Sequence, residues 1–207
     1  MLKPKFHPIS TAFWDWYIHR IIKSDFHEPI FEPDFKIEKT KSVLILANHF
    51  SWWDGFFVYE LNRLILGKRF HVMMLEEQLR KNPFLKRVGA YSIDKSSGRK
   101  SLESLNYSAE LLHNPNNLVL MFPQGQIESV YSQNLTFQGG VGRIIKQLET
   151  PTQILFCINL PDYHSNRKPT LRSYFEVYEG EMNLENLKSA FLGFHKECLG
   201  KQAGVLG

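Results

Sequence analysis

The chain has 207 residues, 43% of them apolar, and a net charge of +4, which suffices for one well-buried domain and does not require two. Its two cysteines, Cys157 and Cys198, lie in unrelated contexts, so neither a disulfide framework nor a metal site is expected and a reducing compartment fits best. A sequence pI near 9.0 leaves anionic membranes, coenzyme phosphates and acidic proteins open as partners, but no zinc, helix-turn-helix or stacking motif accompanies it, so nucleic acid is not expected.

The first element is a helix. From Pro8 to Lys23 the residues Trp14, Tyr17, Ile18, Ile21 and Ile22 recur at helical spacing, with Phe13 and Trp16 beside them and His19, Arg20 and Lys23 elsewhere on the turn. Such a helix packs on the domain's own core or grips a membrane interface, and one flank can do each. No apolar run reaches the roughly 18–20 residues of a spanning helix, and the start, Met1-Leu2-Lys3-Pro4-Lys5, lacks the features of a signal peptide. Attachment is therefore expected to be peripheral, through a membrane-associating unit 1–30, at the cytoplasmic face, with the main domain over 31–207.

Ser24 to Lys41, with Pro29 and Pro33, reads as a connection. Beyond it the pattern alternates. Strands are predicted at Ser42–Ala47, Phe70–Leu75, Ala90–Asp94, Leu118–Phe122, Gln153–Asn159 and Arg172–Tyr178, and helices at Trp53–Leu66, Gly98–His113, Gly139–Leu148 and Leu184–Leu199. This predicts an α/β fold with a mixed, largely parallel sheet flanked by helices. Asn114-Pro115-Asn116-Asn117 stops one helix, and Pro161 to Pro169 reads as a polar loop between the last strands.

Three clusters fall at element junctions. In Asn48-His49-Phe50-Ser51-Trp52-Trp53-Asp54 a histidine and a carboxylate lie five residues apart where an apolar strand gives way to a helix. Open α/β folds place their ligands at that edge. A neutral His49 whose other nitrogen donates to Asp54 is fixed in one tautomer and can take a proton from an alcohol. The spacing alone is weakly specific: His49 also suits a capping role, and Asp54 an ordinary helix-start carboxylate. Phe122-Pro123-Gln124-Gly125 makes a rigid turn after a strand, able to expose N–H groups to a phosphate or an oxyanion, or simply to turn the chain. Phe137-Gln138-Gly139-Gly140-Val141-Gly142-Arg143 leads into a helix with glycines that permit close approach of an anion or another backbone.

Together and in this order the clusters resemble the lysophosphatidic acid acyltransferase family, glycerolipid acyltransferases sharing a His-x4-Asp box. Residues 48–54 match its first motif, NHxSxxD; Gly89-Ala90-Tyr91-Ser92-Ile93-Asp94-Lys95 is similar to its second, with Lys95 for arginine; Phe122-Pro123-Gln124-Gly125 is similar to its third, with Gln124 for glutamate. The resemblance spans roughly residues 40–160. It implies transfer of a fatty acyl group from a thioester, on coenzyme A or acyl carrier protein, to a lipid hydroxyl, with no cofactor beyond that co-substrate and no metal. His49 would be the base and Asp54 its partner, with Asn48, Ser51, Lys95, Pro123, Gln124, Gly125 and Arg143 binding substrate.

The third motif usually continues with threonine, arginine and serine, where this chain has Gln126, Ile127 and Glu128. An acceptor other than a simple glycerol phosphate is therefore expected, because Glu128 would repel a phosphate; Lys95, Arg99 or Arg143 could restore the missing charge. The basic run Arg80, Lys81, Lys86, Arg87, Lys95, Arg99 and Lys100, against Asp94, suits coenzyme phosphates, a carrier protein or headgroups, or is a solvated surface. The alternative from another class is a non-catalytic lipid- or carrier-binding protein on the same fold, against which the intact His49 and Asp54 argue.

Overall fold

A computed structural model describes residues 1–31 and 33–205. A seven-stranded sheet runs in the order β1-β7-β6-β2-β5-β3-β4, formed by β1 (Pro29–Phe31), β2 (Ser42–Ala47), β3 (Arg69–Leu75), β4 (Ala90–Ile93), β5 (Asn117–Met121), β6 (Thr152–Asp162) and β7 (Thr170–Tyr178). All neighbouring pairs are parallel except β6 with β7. The helices are α1 (Pro8–Asp25), α2 (Asp54–Leu61), α3 (Glu76–Lys81), α4 (Gly98–Leu112), α5 (Gly140–Ile145) and α6 (Leu184–Ala203).

The apolar runs form strands because β2 and β5, at the centre, are buried on both faces and need continuous apolar sequence. Alternate residues then serve two layers. Leu44, Leu46, Val119, Ile154 and Phe156 face α4, α5 and α6, where Leu112, Ile144 and Phe191 complete a core. Val43, Ile45, Leu118, Leu120 and Leu155 face α1 and α2, meeting Ile18, Ile22, Phe57 and Val58.

Several boundaries differ from the sequence reading. The helix expected over Trp53–Leu66 is α-helical only to Leu61 and ends in a π-helical turn, Asn62–Leu66, closed by Gly67 in the left-handed region. The connection 24–41 contains β1, which pairs parallel with β7; three residues starting with proline give no periodicity to read. α3 and the 3₁₀ turn Pro83–Val88 were also not predicted, being too short for a repeating apolar stripe. After that turn Gly89, at φ +100°, has no room for a side chain, since a Cβ would lie 2.0 Å from the carbonyl oxygen of Phe70. The hairpin strands are longer than expected, leaving a loop of 163–169.

α1 packs on the domain's own core along one flank and leaves the other open. Ile18 and Ile22 are buried in the α2-side core, Trp14 stacks on Phe84 with centroids 4.4 Å apart, and Phe26 just beyond the helix packs edge-on against Trp53 and Phe57. Phe13 and Trp16 remain 51% and 57% exposed.

Candidate active site

β2 leaves the sheet at Ala47 and α2 begins at Asp54, so the six residues between form a tight turn at the C-terminal edge. Its frame is the Asp54 carboxylate, fully buried in the first turn of α2. Oδ2 accepts the backbone N–H groups of Phe50 at 2.8 Å and Ser51 at 2.9 Å, and Oδ1 accepts the Ser51 hydroxyl at 2.9 Å. The helix N-terminus adds a favourable dipole. Oδ2 also meets His49 Nδ1 at 2.7 Å. Because a carboxylate only accepts, Nδ1 carries the proton and Nε2 keeps the lone pair. The His49 ring stacks on Phe122 at the end of β5, with centroids 4.2 Å apart and planes inclined by 16°.

His49 stands in the wall of a cavity of about 520 Å³ that runs between α2 and strands β3 and β4. Its lining is mostly apolar, with Phe56, Tyr59, Phe70, Val72, Leu85 and Ala90 along its length. At the mouth, Trp52 and Ile127 are 55% and 56% exposed and stand near Lys95 and Gln126. Volume and lining fall within the roughly 300–1,000 Å³ of apolar pockets that hold small-molecule ligands.

The structure brings together some of the residues expected to bind substrate and sets others apart. Lys95 and Gly125 line the cavity, and Lys95 Nζ donates to the Gly125 carbonyl at 2.6 Å. Gly125 holds φ +68° there, and a Cβ would come 2.8 Å from that ammonium. Ser51 serves Asp54. Asn48 is buried with its amide facing β6, donating to the Asn159 carbonyl at 3.0 Å and accepting from the Asn159 N–H at 2.8 Å. It thus ties the exit of β2 to the body of β6, 111 residues away in sequence. Pro123 and Gln124 are buried behind the turn, and Arg143 is exposed on α5, outside the wall of the cavity. Phe122, Trp52 and the cavity lining were not anticipated, since those positions come from four separate segments and share no local pattern.

The electrostatics also differ from the sequence expectation. Glu128 is half-buried, and its carboxylate accepts from Thr136 N at 3.1 Å, Gln124 Nε2 at 3.2 Å and Gln126 Nε2 at 3.3 Å. Burial raises its pKa, but these hydrogen bonds outweigh that and leave it below the usual carboxylate value. The charge expected to repel an acceptor is therefore tied into the loop. In the basic run Arg80 and Lys81 pair with Glu76 and Glu77, each at 2.6 Å, and Lys100 with Asp94 at 2.9 Å. Glu76 and Glu77, one turn upstream, thus offset two of the seven cations, beside Lys100 on Asp94.

An imidazole paired with a buried carboxylate at the carboxyl edge of a mostly parallel sheet, opening on an apolar cavity, gives this α/β fold the layout of an enzyme site. A family model described as Acyltransferase matches residues 31–157, and the chain belongs to that acyltransferase family. The crystal structure of PlsC from Thermotoga maritima, a 1-acyl-sn-glycerophosphate (LPA) acyltransferase, shares the fold with a TM-score of 0.66 at 17% identity, over 93% of this chain and 79% of that one. No curated protein matches in sequence.

Proposed function

We propose that this acyltransferase moves a fatty acyl group from a thioester, on coenzyme A or acyl carrier protein, to the hydroxyl of a lipid. The observation that carries the reading is the His49–Asp54 pair at the wall of the apolar cavity. The acyl chain lies in the cavity, where its methylenes leave water at about 0.8 kcal/mol each. His49 Nε2 takes the proton of the acceptor hydroxyl while its oxygen bonds to the thioester carbonyl carbon. Asp54 offsets the charge on the imidazolium. As the tetrahedral species collapses the C–S bond breaks, and the proton on Nε2 passes to the departing sulfur. His49 returns neutral, with no acyl group left on the protein.

The acceptor approaches past Trp52, Lys95, Gln126 and Ile127. Ile127 offers an apolar surface where the resembling family has an arginine, and the Lys95 ammonium is held by the Gly125 carbonyl, which supports an acceptor carrying little negative charge near its hydroxyl, such as a glycolipid, an aminoacyl lipid or a polyene alcohol. The membrane is met through the exposed flank of α1, where Phe13, Trp16 and Tyr17 stand next to Arg20 and Lys23. Among the described residues no helix is long and apolar enough to cross a bilayer. Peripheral attachment at the cytoplasmic face is the arrangement this supports.

The test is transfer from labelled acyl-coenzyme A and acyl carrier protein to a panel of lysolipids, glycolipids and lipid alcohols. Product is expected from the unmodified protein and not from His49→Ala; equal product from both would end the proposal. Deletion of α1 would expose Ile18 and Ile22, so attachment is better tested with Phe13→Ser/Trp16→Ser. This variant should stay folded and pellet less with anionic vesicles, and undiminished pelleting would remove the helix from the membrane reading.

A further inference from the structure

We propose that Glu128 is a positioning residue for His49, acting through the amide of Gln124. Gln124 is 1% exposed and lies outside the cavity wall, so its side chain faces the protein and not the substrate. Its Oε1 accepts the His49 backbone N–H, and its Nε2 donates both to the His49 carbonyl and to Glu128 Oε2, each at 3.2 Å. The backbone N–H of Glu128 donates to the same His49 carbonyl at 2.9 Å. Both backbone groups of the base are thus held by a loop 75 residues away in sequence.

An amide can be turned end for end, and the neighbours decide which end faces where. Here the N–H and carbonyl of His49 select one orientation, and the carboxylate of Glu128 holds the amide in it. Its Oε2 already accepts from Thr136 N and only accepts, so it requires the NH2 end of Gln124. That requirement leaves Oε1 for the His49 N–H. The polarity runs without a break from Thr136 through Glu128 and Gln124 to His49. Because the His49 ring also stacks on Phe122, two residues before Gln124, the same loop sets both the backbone and the ring of the base. A change in Glu128 or Gln124 that breaks the alternation shifts His49 relative to Asp54, and misplacement by about 1 Å costs as much as roughly 100-fold in rate.

The experiment is an exchange of the two side chains. Gln124→Glu sets two carboxylates against each other and turns an oxygen toward the His49 carbonyl. Adding Glu128→Gln restores a donor facing an acceptor between the two side chains, the His49 carbonyl keeps the backbone N–H of residue 128, and the exposed Thr136 N–H then turns to water. Two readouts apply to each folded variant: hydrogen exchange of the 48–53 amides, and acyl transfer from oleoyl-coenzyme A to 1-oleoylglycerol as the probe pair. Gln124→Glu should lose protection at His49, and kcat should fall roughly 10–100-fold with KM within about threefold. The double variant should regain protection and recover at least about tenfold in kcat. Unchanged exchange and kcat in Gln124→Glu, or a double variant no better than the single one, would overturn the inference. The kinetic arm rests on the acyl-transfer reading and the exchange arm does not. Exchange that changes and recovers as expected, with no transfer to the probe by the unmodified protein, would uphold the lock and count against that acceptor alone.

Discussion

On one face of the sheet Leu44, Leu46, Ile154 and Phe156 meet Phe191 and Leu187 of α6 and Ile144 of α5, and the layer closes into a core. On the other face the alternate residues of the same strands meet α1 and α2, and the layer leaves a cavity of about 520 Å³ beside His49. The two faces draw on one composition, mainly leucine, isoleucine, valine and phenylalanine. They differ in the cover beside His49: there α2 stops after 8 residues and hands over to a π-helical turn, whereas α6 runs for 20 across the closed face. On the proposed reading, function draws on incomplete cover over an apolar surface, with His49 at its edge.

The largest effect expected from this contrast is at the edge. His49→Ala should lower transfer by about 10²–10⁴-fold while costing about 1–3 kcal/mol through the hydrogen bond lost to the buried Asp54 carboxylate, measured by initial rates and urea midpoints on the same preparations. Phe156→Ala, on the closed face, should do the reverse, costing about 3–5 kcal/mol with kcat preserved wherever the protein is folded. A rate loss there comparable to that of His49→Ala would erase the distinction between the faces.

Acid should also act on the closed side. His71 on β3 is buried, beside Asn117 but with neither ring nitrogen in a well-formed hydrogen bond among the described residues, and packs edge-on against Phe6. Burial, with Arg69 nearby, pushes its pKa down to about 4. Between the ordinary value near 6.5 and about 4 the unfolded chain binds a proton that the folded chain refuses. Stability is therefore lost as pH falls through this window, by up to about 3 kcal/mol. Burial lowers the pKa of His195 as well, adding slope of the same sign. His71→Leu should flatten, without abolishing, the fall in urea midpoint from pH 6.5 to pH 4; an unchanged slope would exclude His71 as its source.

The smallest effect on stability is expected inside the cavity. A Cβ on Gly55 would meet nothing within 4 Å, and the residue lines the cavity from the first turn of α2. Gly55→Leu should gain up to about 1 kcal/mol from helix propensity while favouring shorter acyl donors, by about tenfold in the ratio of kcat/KM values. Equal use of long and short donors would place the chain elsewhere.

The degree to which the sequence announced this arrangement follows the range of the interactions. β2, β5 and the His49–Asp54 pair were legible because their signals are local: an apolar run, and two residues one turn apart. The cavity was not, because Phe56, Phe70, Leu85 and Ala90 meet only after three strands are aligned. Asn48 shows the same limit. Its type and place suggested substrate, but its partner is the backbone of Asn159. Gln124 and Glu128 read as two departures from a motif, and in the fold they are one matched pair.

The insertion of β5 between β2 and β3 has a consequence for how the molecule comes into being. Residues 42–75 form two strands of the sheet that cannot pair with each other, because their shared neighbour arrives only at 117–121. The turn carrying His49 has to wait for that late strand, and for β6 beyond it, which makes the loop-closure cost high and the search slow. A nascent chain halted before residue 117 would own the general base and have nowhere to use it, so catalytic competence reports completion of the whole sheet.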